Sequence, residues 1–399
     1  MSGSRPGGEA ARRSIARHAG EFVVLRRDLH QHPELAFAEE RTSRIVASLL
    51  ESWGYEVTRG LGGTGVVGTL RRGNGPRALG LRADMDALPI AEETGLPHAS
   101  RTAGAMHACG HDGHTAILLA AARYLAVEGG FSGTLHLIFQ PAEEIGQGAR
   151  RLIADGLFDR FPCDAVFGLH NWPGVSAGRF GFVAGPAMAS VDWARIRVAG
   201  RGGHGAEPHS AVDPVVAAAH IVTGLQTIVS RNAAPLDLAI VTVGSIHGGS
   251  AANVIPDRVD LTLTTRAFRP EIRQLLEKRV KTVATLQAES FGALADIEWK
   301  EGFPSVVNHR RETDLARSVA LDLFGEAGVE PDFAPRTASE DFAFLLQERP
   351  GSYFFVGNGD SAPLHSPRYD FNDALIEPAA TYWAALAETF LVSPETPHG

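Results

Sequence analysis

The chain has 399 residues, with 37 Lys and Arg against 46 Asp and Glu, and a formal net charge of −9 at pH 7. An acidic chain with no basic block is a poor ligand for nucleic acid, and no apolar run is long enough to span a membrane. The only two cysteines, Cys109 and Cys163, exclude a disulfide-rich scaffold and favour a reducing cytoplasm.

The first half of the chain alternates predicted helices with predicted strands. Residues 1–20 have the composition of a loose polar leader without the apolar core of a secretory signal. Apolar periodicity then predicts helices over 22–30, 45–53 and 111–127. Apolar runs predict strands at 65–70, 78–82, 134–140 and 165–170. This alternation predicts an α/β layer with a mostly parallel sheet.

The pattern changes near Pro186 and changes back after residue 302. Between these points, alternating strands are predicted at 191–198, 238–244, 260–268 and 295–299, with helices over 214–231 and 270–291. Asp213 before Pro214 is the expected N-cap of the first of these helices. We interpret residues 187–302 as an α+β domain inserted into an α/β domain that consists of residues 1–186 and 303–399.

The remaining elements complete the α/β domain. Residues 337–340 match a capping box that is expected to begin a helix, and a strand at 352–356 and a helix over 377–391 follow. Residues 60–65 match the dinucleotide fingerprint GxGxxG. That fingerprint should follow a strand and open a helix, whereas here it precedes a strand, so we interpret it as a glycine-rich turn.

The densest group of metal-binding side chains lies in residues 106–114, which contain three His, one Cys and one Asp. Cys109 and His111 are two residues apart, so an extended backbone would place both side chains on one face. A thiolate with an imidazole suits Zn, Mn, Co, Ni or Fe ions. The alternative is a loop whose polar groups cap the helix that follows.

Two adjacent carboxylates, Glu143 and Glu144, follow the predicted strand 134–140. Active sites of open α/β sheets lie at the carboxyl ends of their strands, and neighbouring carboxylates are costly there without a cation. One glutamate could then bind metal while the other moves a proton; the alternative is a solvated acidic helix start.

His170 ends a strand and His365 follows a later one, although each taken alone is more typical of a structural or solvated histidine than of a ligand. Together with the thiolate and the carboxylates, these imidazoles provide enough donors for two divalent ions.

At these residues the sequence resembles the dinuclear metal-dependent amidohydrolases and exopeptidases of the aminoacylase type. The branch it resembles contains hippurate hydrolase, the plant auxin-conjugate hydrolases and bacterial N-acyl-amino-acid and N-acetyl-diaminopimelate amidohydrolases. The resemblance extends from Arg27 to His365 and rests on the motifs at 27–34, 81–90, 106–114, 141–144 and 168–170.

The resemblance implies a role for each matching residue. The implied ligands of two divalent ions are Cys109, His111, Glu144, His170 and His365. Glu143 matches the general base, and Asp86 is expected to orient a ligand imidazole. His204 matches a residue that polarises the substrate carbonyl, often in the partner subunit, while Asn253 and Arg266 match positions associated with the substrate's carboxylate.

The resemblance also implies an architecture and an activity. The expected fold is a metallopeptidase-like catalytic domain with an inserted ferredoxin-like domain for dimerisation or as a lid. The expected protein is a homodimer, with a tetramer left open. Its expected reaction is hydrolysis of a small-molecule N-acyl amino acid, with an aromatic acyl group, to a carboxylic acid and a free amino acid.

Three alternatives remain at this stage. The substrate could be an N-acetyl amino acid, N-acetyl-diaminopimelate or a dipeptide. The chain could instead be a non-catalytic metal or amino-acid binding protein, although paired glutamates argue against storage without catalysis. Cys109 could have a redox role, which the lack of a nearby second cysteine disfavours.

The ions could be Mn, Zn, Co or Ni, because such donor sets accept several metals.

Overall fold

The computed structural model describes residues 6–391 and divides into two compact units. The first unit contains the chain up to Gly185, Val307–Ala334 and the chain from Asp341 onward. The second contains Pro186–Val306 and the short segment Pro335–Glu340, which the sequence pattern had assigned to the first domain. None of the helices in the described part of the chain combines the length and the apolar character that a membrane crossing requires.

The elements are numbered in chain order. The helices are α1 (Pro6–Gln31), α2 (Glu40–Ser52), α3 (His111–Val127), α4 (Gly148–Ala154), α5 (Leu157–Arg160), α6 (Pro214–Arg231), α7 (Pro270–Ser290), α8 (Arg310–Phe324), α9 (Phe342–Glu348) and α10 (Ile376–Phe390). The strands are β1 (Glu56–Leu61), β2 (Gly65–Arg72), β3 (Ala78–Asp84), β4 (Gly133–Gln140), β5 (Ala165–Pro173), β6 (Phe180–Gly181), β7 (Gly185–Met188), β8 (Ser190–Ala199), β9 (Gly203–His204), β10 (Ala239–Gly248), β11 (Val254–Ile255), β12 (Arg258–Ala267), β13 (Leu294–Glu301), β14 (Val306–Asn308) and β15 (Gly351–Gly359).

The first unit is built on a seven-stranded sheet with the order β1-β2-β4-β3-β5-β15-β6. Its four central strands, β4, β3, β5 and β15, are parallel. β2 and β6 flank them and are antiparallel to them, and the edge strand β1 is antiparallel to β2. The central strands are buried along nearly their whole length, as expected of a parallel sheet covered by helices. The predicted α/β class with a mostly parallel sheet is confirmed.

The N-terminal leader predicted for residues 1–20 is wrong for the described part of that stretch, because α1 begins at Pro6. Ala11, Ile15 and Phe22 recur at helical spacing and are buried in the same core cluster as the apolar face of α3. The charged residues between them gave this helix a polar composition that concealed its apolar stripe. Residues 1–5 of the predicted leader lie outside the described residues.

The helix after the predicted capping box begins later than expected. Its N-cap is Asp341, and its first residue is Phe342. Glu340 therefore precedes the helix and cannot fill the third helical position that a capping box requires. By contrast, the predicted cap of α6 is present, since the Asp213 carboxylate accepts hydrogen bonds from the backbone N–H groups of Val215 and Val216.

The second unit has its own core and an antiparallel sheet with the order β10-β12-β8-β13. The four strands of this sheet and the two helices follow one another along the chain as β8, α6, β10, β12, α7 and β13. That order of strands and helices is the split βαβ arrangement of ferredoxin-like domains. Alternate residues of β8 and β12 are buried, so one face of the sheet packs on the two helices.

Candidate metal centre

The polar residues of the first unit gather where its parallel strands end. β3 ends at Asp84 and leads to Asp86, β4 leads to Glu143 and Glu144, and β5 carries His170 near its carboxyl end. Because these strands are parallel neighbours, their carboxyl ends lie at one edge of the sheet. This edge is where the sequence predicted a metal site.

Cys109 and His111 reach this edge through a tight turn at the start of α3. Gly110 between them is the N-cap and has a φ of 92°, a conformation that side chains other than glycine's rarely adopt. A Cβ added there would lie 2.2 Å from Asn171 Nδ2 and 2.6 Å from the Tyr369 hydroxyl oxygen. The close packing therefore requires glycine between the two ligand candidates.

Two of the histidines have their ring orientation fixed by backbone carbonyls. His111 Nδ1 donates to Asp86 O at 2.9 Å, and His170 Nδ1 donates to Asn171 O at 2.6 Å. These bonds occupy Nδ1 and leave Nε2 of each ring as the candidate ligand atom, which is the usual arrangement at metal sites. His170 Nε2 lies 3.3 Å from Cys109 Sγ.

All five predicted ligands come together. His111 Nε2 is 3.8 Å from Glu144 Oε1, and His365 Nε2 is 3.5 Å from Glu144 Oε2. Cys109 belongs to two candidate ligand groups, one with His111 and His170 and one with Glu144 and His365; within each, the ligand atoms lie within 4.8 Å of one another. Metal–ligand bonds of about 2.0–2.3 Å place neighbouring ligand atoms roughly 3–4 Å apart, so these spacings fit bound ions.

The protein atoms of this cluster fit a cation. His111 Nε2 and Glu144 Oε1 are buried and have no hydrogen-bond partner within the described chain, as expected of atoms that bind metal. Burial opposes a charge on His111, but the surrounding carboxylates, Asp84 first, raise its pKa to about 10. Burial raises the pKa of Glu144, while the charge of His111 opposes that rise. The cluster thus has an excess of buried negative charge that a divalent ion would compensate.

Asp86 holds the turn that carries the two glutamates. Its two carboxylate oxygens accept hydrogen bonds of 3.0 Å from the backbone N–H groups of Glu143 and Glu144. Ala142, just before them, has a φ of 54°, which costs a residue other than glycine on the order of 1–3 kcal/mol. Asp86 lies 3.3 Å from His111 Nδ1, next to the ligand imidazole that it was predicted to orient.

An inner carboxylate–histidine pair, Asp84 with His114, was not among the predicted site residues. Asp84 Oδ1 is 2.6 Å from His114 Nδ1, and its other oxygen is 2.7 Å from Arg82 Nη1. Asp84, His111 and His114 form a further candidate ligand group, fully buried. The spacing of His111 and His114 on one helix was the available signal, since residues three apart share a helix face.

The remaining predicted residues lie in the second unit. His204 in β9 pairs with Val254 in β11, and Gly205 N donates to Asn253 O at 2.8 Å, so His204 and Asn253 are neighbours. Arg266 lies apart from them, in β12 of the four-stranded sheet, between Ile240 and Val191 of the adjacent strands. The three predicted substrate contacts therefore belong to a different unit from the five ligand candidates.

Known proteins resemble this chain over nearly its whole length. Residues 80–389 match the family described as Peptidase family M20/M25/M40. A hippurate hydrolase of Campylobacter jejuni is 44% identical over 372 residues, which are 93% of this chain and 97% of that protein. An N-acetyl-L-cysteine deacetylase of Bacillus subtilis is 41% identical over 376 residues, 94% of this chain and 89% of that protein.

A solved structure has the same fold. The Bacillus subtilis YXEP protein, described as a dinuclear metal-binding peptidase, superimposes with a TM-score of 0.81 and 34% sequence identity. The match covers 94% of this chain and 99% of that one.

Proposed function

The chain belongs to peptidase family M20/M25/M40, and on this premise we propose that it hydrolyses N-acyl amino acids with an aromatic acyl group, as in hippurate. It is a metal-dependent hydrolase of linear amide bonds, with divalent ions as its cofactors. The aromatic acyl group is supported by the 44% identity to a hippurate hydrolase.

One observation carries the proposal: the five ligand candidates converge at the sheet edge, and Glu143 lies beside them. Cys109, His111 and Glu144, with the two remaining imidazoles, would hold the ions. Glu143 belongs to a group with His111 and Glu144 in which carboxylate and imidazole atoms lie within 4.8 Å of one another. A second carboxylate beside the ligands is what proton transfer requires and what simple metal storage does not.

The proposed reaction divides its tasks among residues of this chain. Bound divalent ions would supply Lewis-acid polarisation of the amide carbonyl and of the attacking water. A Glu143 carboxylate oxygen accepts the proton of that water as the water oxygen attacks the carbonyl carbon. The same carboxyl then donates the proton to the amide nitrogen, and the carbon–nitrogen bond breaks to release the free amine.

For the second unit we propose the roles that the resemblance implies. His204 donates a hydrogen bond to the carbonyl oxygen as negative charge develops there. Arg266 and Asn253 bind the free carboxylate, for which the planar guanidinium is suited. The proposal covers action of His204 within its own chain and action in the partner subunit. The mass measurement described below tests the second of these.

A substrate panel tests the proposed chemistry. The protein is stripped with a chelator, reloaded separately with Mn, Co, Ni or Zn, and given benzoyl-, indoleacetyl- and acetyl-amino acids and dipeptides. We expect restored release of amino acid, with kcat/KM highest for the aromatic acyl compounds. Failure of every reloaded form on the whole panel, despite bound metal, would contradict the proposal.

A second candidate is deacetylation of N-acetyl amino acids. It is favoured by the 41% identity to the N-acetyl-L-cysteine deacetylase of Bacillus subtilis. The same panel separates the two candidates, because a deacetylase would prefer the acetyl compound of each matched pair over the benzoyl compound.

We further propose that the protein is a cytoplasmic homodimer. The support is the ferredoxin-like order of the second unit, which resembles the dimerisation domain of the family, and the presence of only two cysteines. Light scattering should give twice the 42.5 kDa chain mass. A mass of one chain at assay concentration would contradict the dimer and would place any action of His204 within its own chain.

A further inference from the structure

The buried carboxylate of Glu39 contacts the loop that carries the proposed base, Glu143. Glu39 precedes all of the metal motifs in the chain. It is fully buried, although glutamate is rarely so without a specific partner. Oε1 accepts a 2.9 Å hydrogen bond from the backbone N–H of Ala142, and Oε2 accepts a 2.5 Å bond from the Thr64 hydroxyl. Both oxygens of this carboxylate are thereby occupied.

Glu39 does not perform the task that its position in the chain suggests. It is the N-cap residue of α2, yet its side chain makes no capping hydrogen bond. Glu34 does so instead: its two carboxylate oxygens accept hydrogen bonds of 2.8 Å from the N–H groups of Arg41 and Thr42. The carboxylate of Glu39 is therefore free to extend away from the helix toward residue 142, which lies 103 positions later in the chain.

The residue that Glu39 holds is strained and stands immediately before the base. Ala142 has a φ of 54°, in the left-handed region that favours glycine. A non-glycine residue keeps such a conformation only where its surroundings impose it. The Ala142 N–H is held by Glu39, and the Glu143 and Glu144 N–H groups are held by Asp86. Three consecutive N–H groups of the loop thus bind two buried carboxylates.

Residues 34–42, which we call the bracket segment, also bind the turn that follows β3 and contains Asp86. Ala87 N donates to Glu34 O at 2.8 Å, and Leu35 forms an isolated bridge with Ala87. The bracket segment therefore contacts both the Asp86 turn and the Ala142 turn. These are the two turns whose relative position determines where the Glu143 carboxylate lies.

We infer that Glu39 is a positioning residue for the general base: by fixing Ala142 in its left-handed conformation, it holds Glu143 in register with the metal cluster. This inference rests on the proposed function, since it assigns Glu39 a part in that reaction. Displacement of a catalytic group by about 1 Å can cost on the order of 100-fold in rate, so loss of this hydrogen bond should lower kcat.

The test compares Glu39 with Glu388, which binds the same kinds of donor away from the site. Glu388 in α10 accepts hydrogen bonds from the backbone N–H of Gly130 and the hydroxyl of Tyr124. Glu39→Ala and Glu388→Ala each remove one such carboxylate. Glu39→Gln keeps a carbonyl oxygen for the Ala142 N–H, and Thr64→Val removes only the second hydrogen bond.

We expect Glu39→Ala to lower kcat about 100-fold, with KM and bound metal per chain within twofold of wild type. Glu39→Gln should recover kcat to within about 10-fold, because it still accepts from Ala142. Hydrogen exchange of the peptide 137–147 should be faster in Glu39→Ala and unchanged in Glu388→Ala. Thr64→Val should lower kcat by less than Glu39→Ala and provides the test if Glu39→Ala does not fold.

Three results would overturn the inference: Glu39→Ala with wild-type kcat; Glu39→Gln as slow as Glu39→Ala; or Glu388→Ala with an equal loss of kcat. Where Glu39→Ala does not fold, wild-type kcat and loop exchange in Thr64→Val would overturn it as well. Failure of the proposed function has a different signature, because the wild-type protein would then be inactive on the whole panel. An active wild type with an equally active Glu39→Ala would remove the inference alone.

Discussion

Cys109 and Cys163 are the same side chain in two different surroundings. Cys109 Sγ lies 3.3 Å from an imidazole nitrogen at the sheet edge and belongs to two candidate ligand groups. Cys163 donates to the Phe161 carbonyl oxygen, and burial raises the pKa of its thiol to about 12. Only the thiolate binds metal, so these surroundings favour the proposed metal binding by Cys109 and a packing role for Cys163.

The two cysteines therefore form a matched pair of variants. We expect Cys109→Ala to lose at least one ion per chain on dialysis, because it removes a thiolate shared by two candidate groups. Cys163→Ala should keep the full metal content. Elemental mass spectrometry measures both, and an unchanged metal content in Cys109→Ala would remove that residue from the ligand set.

The adjacent glutamates should respond differently to the same substitution. Glu143→Gln should keep both ions and lose about 10²–10⁴-fold in kcat, the usual contribution of a general base. Glu144→Gln should lose metal, because Glu144 lies between His111 and His365. Metal content and kcat are measured on both variants. Near wild-type turnover by Glu143→Gln would refute its assignment as the base.

The residue types in the sequence predicted which side chains would gather at the site. The other contacts of the site depend on packing between segments that are far apart in the chain, and they were not predicted. The donor-rich segments were visible because adjacent carboxylates at a strand end are costly without a cation, and the family resemblance then selected the five ligand candidates. The pairing of Asp84 with His114 was not predicted, because it depends on β3 packing against α3. Glu39 gave no signal, since its partner is a backbone N–H 103 positions away.

At the scale of elements, α1 and α3 are joined by a buried ion pair. His30 Nδ1 of α1 lies 2.8 Å from Asp112 Oδ2 of α3, and both side chains are inaccessible to solvent. Burial alone would lower the pKa of His30, but the charge and hydrogen bond of Asp112, with a further bond to Glu92, raise it to about 9. His30 is therefore charged in the folded protein at neutral pH.

This pair predicts how stability depends on pH. The folded pKa of His30 lies above the unfolded value near 6.5, so its contribution is complete below pH 6.5 and is lost as pH rises toward 9. Over that window the loss amounts to about 3 kcal/mol of unfolding free energy.

Urea unfolding of wild type and His30→Gln, both metal-free, measures the difference between the two proteins at each pH. We expect that difference to shrink from pH 6.5 to 9. If the unfolding free energies of the two proteins differ by the same amount from pH 6.5 to 9, the raised pKa of His30 is contradicted.

The sequence predicted most helices and strands, but it did not predict where an element begins or ends when its terminal residues are polar. The predicted bounds of α3 match the observed His111–Val127. The start of α1 was missed because charged residues separate Ala11, Ile15 and Phe22. The edge strand β1 was also missed, since it is short, has a single buried residue and lacks an apolar run like those of the inner strands.

At the scale of the whole molecule, the two units have separate cores and hold different sets of the predicted site residues. The first unit holds the candidate ligands and Glu143, and the second holds His204, Asn253 and Arg266. The change of pattern near Pro186 was visible in sequence because an antiparallel sheet with one open face alternates polar and apolar residues. The sequence did not indicate that Pro335–Glu340 groups with the second unit, because six residues are too few to show a hydrophobic periodicity of their own.

The most direct test of the central claim is the rate of hippurate hydrolysis measured against the number of ions bound per chain. Metal-free protein is titrated with Mn or Zn, and activity and bound metal are read on the same samples. We predict no turnover without metal, full turnover as the Cys109–His111–Glu144 centre fills, and none at any occupancy in Glu143→Gln. Turnover by the metal-free protein at the rate of the loaded one would contradict the account, and so would filled sites without cleavage.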